Sequence, residues 1–298
     1  MRHGGLILIA LWLAMLAGCR FAGWEAPFSQ SLVDSRKLSR QGITAMDRGN
    51  QKEAEALLAK AVHACPTDLE ARRNYAEILW ARGAQGEAIA QMEAGAKTAK
   101  DDAAFRVRLA EMYLAVGKTQ QAAEIAEQAL ALDPRSAAAW AIRGGVMNAA
   151  GQPQQALAAY LHALGLEPQN RHVLFEVAEL YRQLNQPDRA LQSLQTLAEC
   201  YPPGEEPPNV LYLTGAAYQA LGRYDEAVEE MRAAVARGKP TSDLLCRLAE
   251  AELLAGHRRE ATMAASQALV LQPRHQPSIE LLQRIDVAQN AQEQSMLK

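Results

Sequence analysis

Apolar residues recur along this chain with the spacing of helices that bury a single face. Leu57, Leu58 and Ala61 form one such face, and Leu157, Tyr160, Ala163 and Leu164 another. The faces repeat at a fixed interval. Sliding the sequence against itself by 34 residues aligns Ala54, Ala88, Ala122, Ala156 and Ala190, and a single step of 37 leads on to Ala227 and Ala261. Five residues before each alanine stands Gly49, Gly83, Gly117, Gly151, Asn185, Gly222 or Gly256. Glycine and asparagine tolerate left-handed backbone, so this column predicts a turn at a helix C-terminus. Seven residues further upstream lies Gly42, Ala76, Ala110, Gly144, Ala178, Gly215 or Ala249. Small residues on both sides of a turn predict two antiparallel helices whose backbones approach closely. Pro66, Pro134, Pro168, Pro202 and Pro273, each twelve residues after the recurring alanine, end the second helix. Lys100 and Lys239 replace proline in the other two units and predict softer boundaries there.

This combination of period, turn glycine, small residues and terminal proline resembles the tetratricopeptide repeat. Trp140, Gly144, Gly151, Ala156, Tyr160, Ala163 and Pro168 make the best single unit, and Leu221-Gly222-Arg223-Tyr224-Asp225-Glu226-Ala227 is a typical entry into a second helix. The resemblance implies an all-α, right-handed superhelical solenoid of seven helix-turn-helix units. Their approximate bounds are 35–68, 69–102, 103–136, 137–170, 171–204, 208–241 and 242–275. Residues 276–298 read as a capping helix and polar tail, with Ile279, Leu282 and Ile285 covering the last apolar face. The long step comes from an acidic, proline-rich insert near 202–208. It is best read as a lengthened linker, with a hinge or a partner-contacting loop as the sharper alternative.

The first residues carry a second signal. Arg2 and His3 precede an apolar run from Leu6 to Leu16 that is too short to span a bilayer. A basic start, a short apolar stretch and small residues describe an export signal over residues 1–18. Leu16-Ala17-Gly18-Cys19 resembles the bacterial lipobox. That resemblance implies cleavage before Cys19, a diacylglycerol on its thiol and an acylated amino terminus, a palmitate-bearing membrane anchor. An ordinary cut after Ala22 is the alternative, and it would leave Cys19 a bystander. Arg20 stands where, by resemblance to proteobacterial sorting rules, Asp would retain the protein in the inner membrane. The expected location is therefore the periplasmic side of the outer membrane. Residues 19–34 are expected to form a lipidated tether; Arg20 to Val33, fully extended, would reach ~45 to 50 Å.

Composition narrows the chemistry. Hydrophobic residues are 49 % of the chain and aromatics only 5 %, so alanine and leucine carry the apolar surface, as helices prefer. Formal charge is -3, and about -4 once Arg2 is removed with the signal, without any block of Lys or Arg. Nucleic acid is not expected as a partner for such a surface. Cys65, Cys200 and Cys246 fall in different units, which predicts free thiols rather than a disulfide framework. Gly117-Lys118-Thr119 imitates the end of a phosphate-binding loop, but Met112 stands where its first glycine should be. His3, His63, His162, His172, His257 and His275 show no metal-ligand spacing, and there is no Gly-x-Ser-x-Gly elbow. No catalytic residue, metal, cofactor or small-molecule substrate is expected, and the chain is not expected to be an enzyme.

What the repeat implies instead is a concave protein-binding groove lined by the first helix of each unit. By the family's geometry that surface includes Arg36, Arg73, Trp80, Val107, Glu111, His172, Phe175, Glu179, Tyr212 and Glu250. Trp80 and Phe175 suit either partner binding or packing between helices. The carboxylate clamp known in the family is incomplete: Asn74 and Arg108 match it, whereas Ser39, Ile43 and Ala104 do not. The leading expectation is a lipid-anchored envelope adaptor that holds a partner peptide or helix. A structural subunit of a pilus or secretion machine, pilotin-like and working through its convex face, is the alternative, and a cell-wall-active enzyme a remote third.

Overall fold

The computed structural model describes residues 27–296, with side chains from Gln30 to Val287. Cys19 and the export signal expected over residues 1–18 lie outside the described residues. Fifteen α-helices and no strands make up the described chain. They are α1 (Pro27–Asp47), α2 (Gln51–Ala64), α3 (Leu69–Ala81), α4 (Gln85–Ala96), α5 (Ala103–Ala115), α6 (Thr119–Leu132), α7 (Ala137–Ala149) and α8 (Pro153–Leu166). There follow α9 (Arg171–Gln183), α10 (Pro187–Ala198), α11 (Pro208–Ala220), α12 (Tyr224–Arg237), α13 (Ser242–Leu254), α14 (Arg258–Leu271) and α15 (Gln276–Met296). Among the described residues no helix is long and apolar enough to cross a membrane.

The chain forms two compact units, one ending at Phe105 and the other starting at Arg106. In the first, α1 packs on α2 and α3 on α4, with α2 against α3. In the second, α7 pairs with α8, α9 with α10, α11 with α12 and α13 with α14, and each pair stacks on the next. This is the consecutive helix-pair packing of a repeat solenoid. Helix α15 lies against α14 and α13 and closes the series.

All seven residues of the turn column are left-handed, with φ from +55° at Asn185 to +86° at Gly83. That geometry lets the next amide reach back five residues, as Lys118 N does to Tyr113 O at 2.9 Å and His257 N to Glu252 O at 2.8 Å. Each first helix is thereby closed and the chain reversed. Gly117-Lys118-Thr119 is one of these turns, with α6 starting at Thr119. Side-chain caps then start the following units: Asp68, Asp102, Ser136, Asn170 and Thr241 each accept an amide of the first turn. Of the two boundaries lacking proline, α4 stops early at Ala96. By contrast, α12 runs its full 14 residues to Arg237.

The small-residue column is where the paired helices meet. A Cβ on Gly144 would lie 2.7–2.8 Å from the Tyr160 ring, and one on Gly42 2.7 Å from Leu58 Cγ. Gly215 has the same relation to Met231, at 2.8 Å. A helical glycine costs about 0.5–1 kcal/mol relative to alanine. Here the bare backbone lets a large buried side chain lie directly on it, and Tyr160 is only 3 % exposed.

A buried polar cluster sits within the second unit. Glu252, 2 % exposed, accepts Arg232 of α12 at 2.6 Å and meets His257 Nδ1 at 2.9 Å, which satisfies a buried carboxylate. The capping helix turns Leu281, Ile285 and Ser278 inward while Ile279 and Leu282 are half-buried, so its apolar face is rotated from the expected one and takes in Leu281. At the register of the small-residue column α15 carries exposed Gln283, which leaves no site for a closely packed second helix.

These contacts set opposite expectations for two alanine substitutions. Gly144→Ala should cost about 1–3 kcal/mol by overpacking Tyr160. Gly165→Ala, in α8 with nothing within 4 Å of the added Cβ, should stabilise by about 0.4–1 kcal/mol. Urea unfolding of both variants beside the parent checks the sign of each.

Candidate binding face on the first helices

The first helices of neighbouring pairs touch directly, α1 with α3, α9 with α11 and α13 with α15. Their inward positions adjoin where these helices touch, and the ten candidate residues divide between the two compact units.

In the first unit Arg36 and Arg73 are exposed and Trp80 is half-buried. Arg36 lines a pocket of about 380 Å³ between α1 and α3 with Ser39, Arg40, Asp68, Glu70 and Ala71. Asp68 is committed to structure there: it accepts Ser35 Oγ at 2.8 Å and caps α3 through Ala71 N. Asn74, one of the two clamp matches, donates to Ser39 Oγ at 3.1 Å.

In the second unit His172 is exposed and Phe175 and Tyr212 are half-buried against the core. Val107 is only 8 % exposed, so it belongs to the core and offers little surface. The three glutamates carry partners one helical turn away. Glu111 pairs with Arg108 at 2.9 Å, Glu179 with Arg182 at 2.7 Å and Glu250 with Arg247 at 2.9 Å. Arg108, the other clamp match, is therefore neutralised. The Glu250 hydrogen bond and charge hold the Arg247 guanidinium above its ordinary pKa. Arg182 and Arg247 were not singled out from sequence, and Arg108 only as a clamp match, although an Arg three positions from each Glu is a readable helix spacing.

Tyr212 and Arg247 also line a pocket of about 370 Å³ between α11 and α13, with Pro208, Asn209, Thr241, Asp243 and Leu244. Asp243 bonds His275 Nε2 at 3.0 Å, and His275 Nδ1 meets Ser278 Oγ at 2.8 Å. These are the residue types of a hydrolytic triad, but Ser278 is fully buried in the first turn of α15, out of reach of a substrate. The contacts join the capping helix to α13. Cys65, Cys200 and Cys246 are free, and burial raises the Cys246 pKa, which keeps that thiol protonated. Among the described residues no group of three or more His, Cys, Asp or Glu side chains could hold a metal ion.

Three family models described as tetratricopeptide repeat match the chain, at residues 39–104 and 107–160, at 147–207 and at 208–237, together about two thirds of its length. The chain belongs to the tetratricopeptide repeat family. No catalytic family is among the matches, and no curated protein matches in sequence. Solved structures share the fold at low identity. A tetratricopeptide repeat protein from Parabacteroides merdae superposes with a TM-score of 0.59 at 16 % identity, covering 85 % of this chain and 98 % of its own. YrrB, described as having an unusual peptide-binding site, gives 0.57 at 20 % identity over 64 % and 97 %. PilW, a type IV pilus biogenesis factor, gives 0.60 at 19 % identity over 66 % and 90 %.

The proline-rich insert sits beside this face, joining α10 to α11, and it is tied down. Arg237 at the end of α12 donates to Glu206 at 2.6 Å, and the Arg171 guanidinium lies 5.1 Å from the Tyr201 ring centroid. Backbone hydrogen bonds, from its own amide and from Gly204, and the Arg237 contact hold Glu206 below the usual carboxylate range. A carboxylate with a depressed pKa contributes stability above its unfolded value, near ~4.3, and loses it as pH falls through the lower folded value. Hydrogen exchange over residues 201–208, taken relative to the intrinsic rate of an unstructured chain at the same pH, should therefore stay slow at neutral pH and quicken only below about pH 4. Arg237→Ala should quicken it already at neutral pH.

Proposed function

We propose that this protein is a non-enzymatic adaptor of the bacterial cell envelope, held to the membrane by lipid on Cys19 and gripping a partner peptide or helix on its first-helix face. The observation that carries the binding half is the inward strip of the second unit. Partly exposed aromatics, Phe175 and Tyr212, alternate there with charges already neutralised by Arg–Glu pairs. Aromatic anchors of this kind supply most of the energy in protein interfaces, and rim ion pairs little. The family and the peptide-binding description of YrrB support the same use. The anchoring half rests on Leu16-Ala17-Gly18-Cys19, and Arg20 supports an outer-membrane location facing the periplasm.

A second use has its own observation. Met263 and Val270, seven residues apart on the solvent face of α14, are 62 % and 81 % exposed. An apolar stripe of that kind suits a structural subunit of a larger envelope assembly, as in pilus biogenesis, where PilW is a neighbour in fold.

Crosslinking pull-down from native membranes with the mature protein as bait identifies the partner. Phe175→Ala with Tyr212→Ala should weaken its capture at least about 30-fold, the loss of a typical hot spot. Full capture by that variant, together with loss of capture by Met263→Ser with Val270→Ser, would transfer the role to the α14 face. Melting curves confirm that each variant is folded. For the anchor, intact mass of the membrane-extracted wild-type protein should exceed that of the bare chain 19–298 by its acyl groups, and a mass without that excess would sink the claim.

A further inference from the structure

Helix α1 begins at Pro27, eight residues before the first expected unit, so it takes in the second half of the segment read as a tether. Only residues 20–26 then separate Cys19 from the helix, a reach of at most ~25 Å rather than ~45 to 50 Å. Whatever surface α1 leaves open is held close to the anchor.

That surface is defined by register. In later pairs, the positions five before and two after the small-residue column are buried: Ala71 and Ile78, Val173 and Leu180, Val210 and Ala217. In α1 the same register holds Lys37 and Thr44, with Arg40 and Gln41 between them, all exposed. These residues and Arg48 line a pocket of about 590 Å³ against α2. Its one carboxylate, Glu53, receives Asn50 Nδ2 at 2.7 Å. Lys37 and Arg48 make no ion pair among the described residues, and Arg40 reaches only the backbone oxygen of Arg36, at 3.4 Å. Val33, one turn before Lys37 on the same helical stripe, is 57 % exposed. An edge built to receive another repeat would be apolar. This one offers three cations around one carboxylate, with a lone apolar residue ahead of them.

We propose that this edge of α1 seats anionic phospholipid headgroups, so that the first helix pair rests on the bilayer instead of hanging from it. The proposal rests on the lipid-anchor reading for the position of the membrane. Arginine and lysine together suit phosphate, the arginines by forked hydrogen bonds and the lysine as a point charge. Attraction of each cation to an anionic membrane raises partition about five-fold at moderate salt, and Val33 can enter the headgroup layer. The net negative charge of the whole chain opposes binding elsewhere on its surface.

The test uses the mature-length chain carrying Cys19→Ser, which has no acyl chains. Cosedimentation is measured with vesicles of phosphatidylcholine alone and with vesicles also containing phosphatidylglycerol. The expected result is preferential, salt-sensitive partition to the anionic vesicles. Lys37→Gln with Arg48→Gln should reduce it about 25-fold, and Lys239→Gln with Arg259→Gln, elsewhere on the surface, should leave it unchanged. Equal partition to the two vesicle types overturns the proposal, as does undiminished binding by the α1 double variant. Tight binding of inorganic phosphate without vesicle partition overturns it too. Acyl mass on wild-type Cys19 is read separately, so the seat can fail while the anchor stands, and the reverse.

Discussion

Everything in this molecule depends on how closely the two helices of each pair can cross. The helix that turns at Gly151 returns along its predecessor with Tyr160 laid on the bare backbone of Gly144, and Leu58 and Met231 do the same over Gly42 and Gly215. The remaining pairs use alanine in the column, with Ala76, Ala110, Ala178 and Ala249 all buried. Glycine weakens a helix in isolation, but each costs less than the packing it permits. Every pair is closed on this side, and large apolar residues such as Leu180 and Leu194 fill the rest of the core. The first helices are then free to vary on the side that faces neither partner nor neighbour.

That freedom is visible in the chemistry of the inward strip. Glutamates recur there, each with an arginine one turn away, so the face is polar without carrying strong net charge. Half-exposed pairs of this kind contribute ~1 kcal/mol or less apiece. What the pairs leave uncommitted on that face is the aromatic rings and a few polar atoms, such as the second oxygen of Asp243 in the pocket beside Tyr212.

The parts of the fold that could be read from sequence are those where backbone geometry admits few residue types. A left-handed turn after a helix leaves glycine or asparagine, and all seven positions chosen on that ground have positive φ. The start of α1 was not readable, since no cap and no column marks Pro27 as a beginning. Val107 has the register of a groove residue but is buried, because register fixes a direction and not what lies over it. The orientation of α15 was missed by one helical step, as Leu281 and Leu282 are adjacent leucines and only packing decides between them. The link from Asp243 to His275 spans 32 residues, a separation at which sequence spacing carries no information about hydrogen bonding.

The three extra residues of the longer repeat all fall in the loop between α10 and α11, secured there by Arg237. In a helix each residue advances the side-chain direction by about 100°, so three more inside α11 would have left every later position about 60° short of a full turn. Tyr212 would then have been carried round toward the packed side of its own pair, and Met231 would have lost the bare surface of Gly215. Placed in the loop, the same three residues leave the phase of the helices that follow unchanged. The insert is thus a length change that preserves phase, and the two pairs that follow it keep the rotational setting of those before.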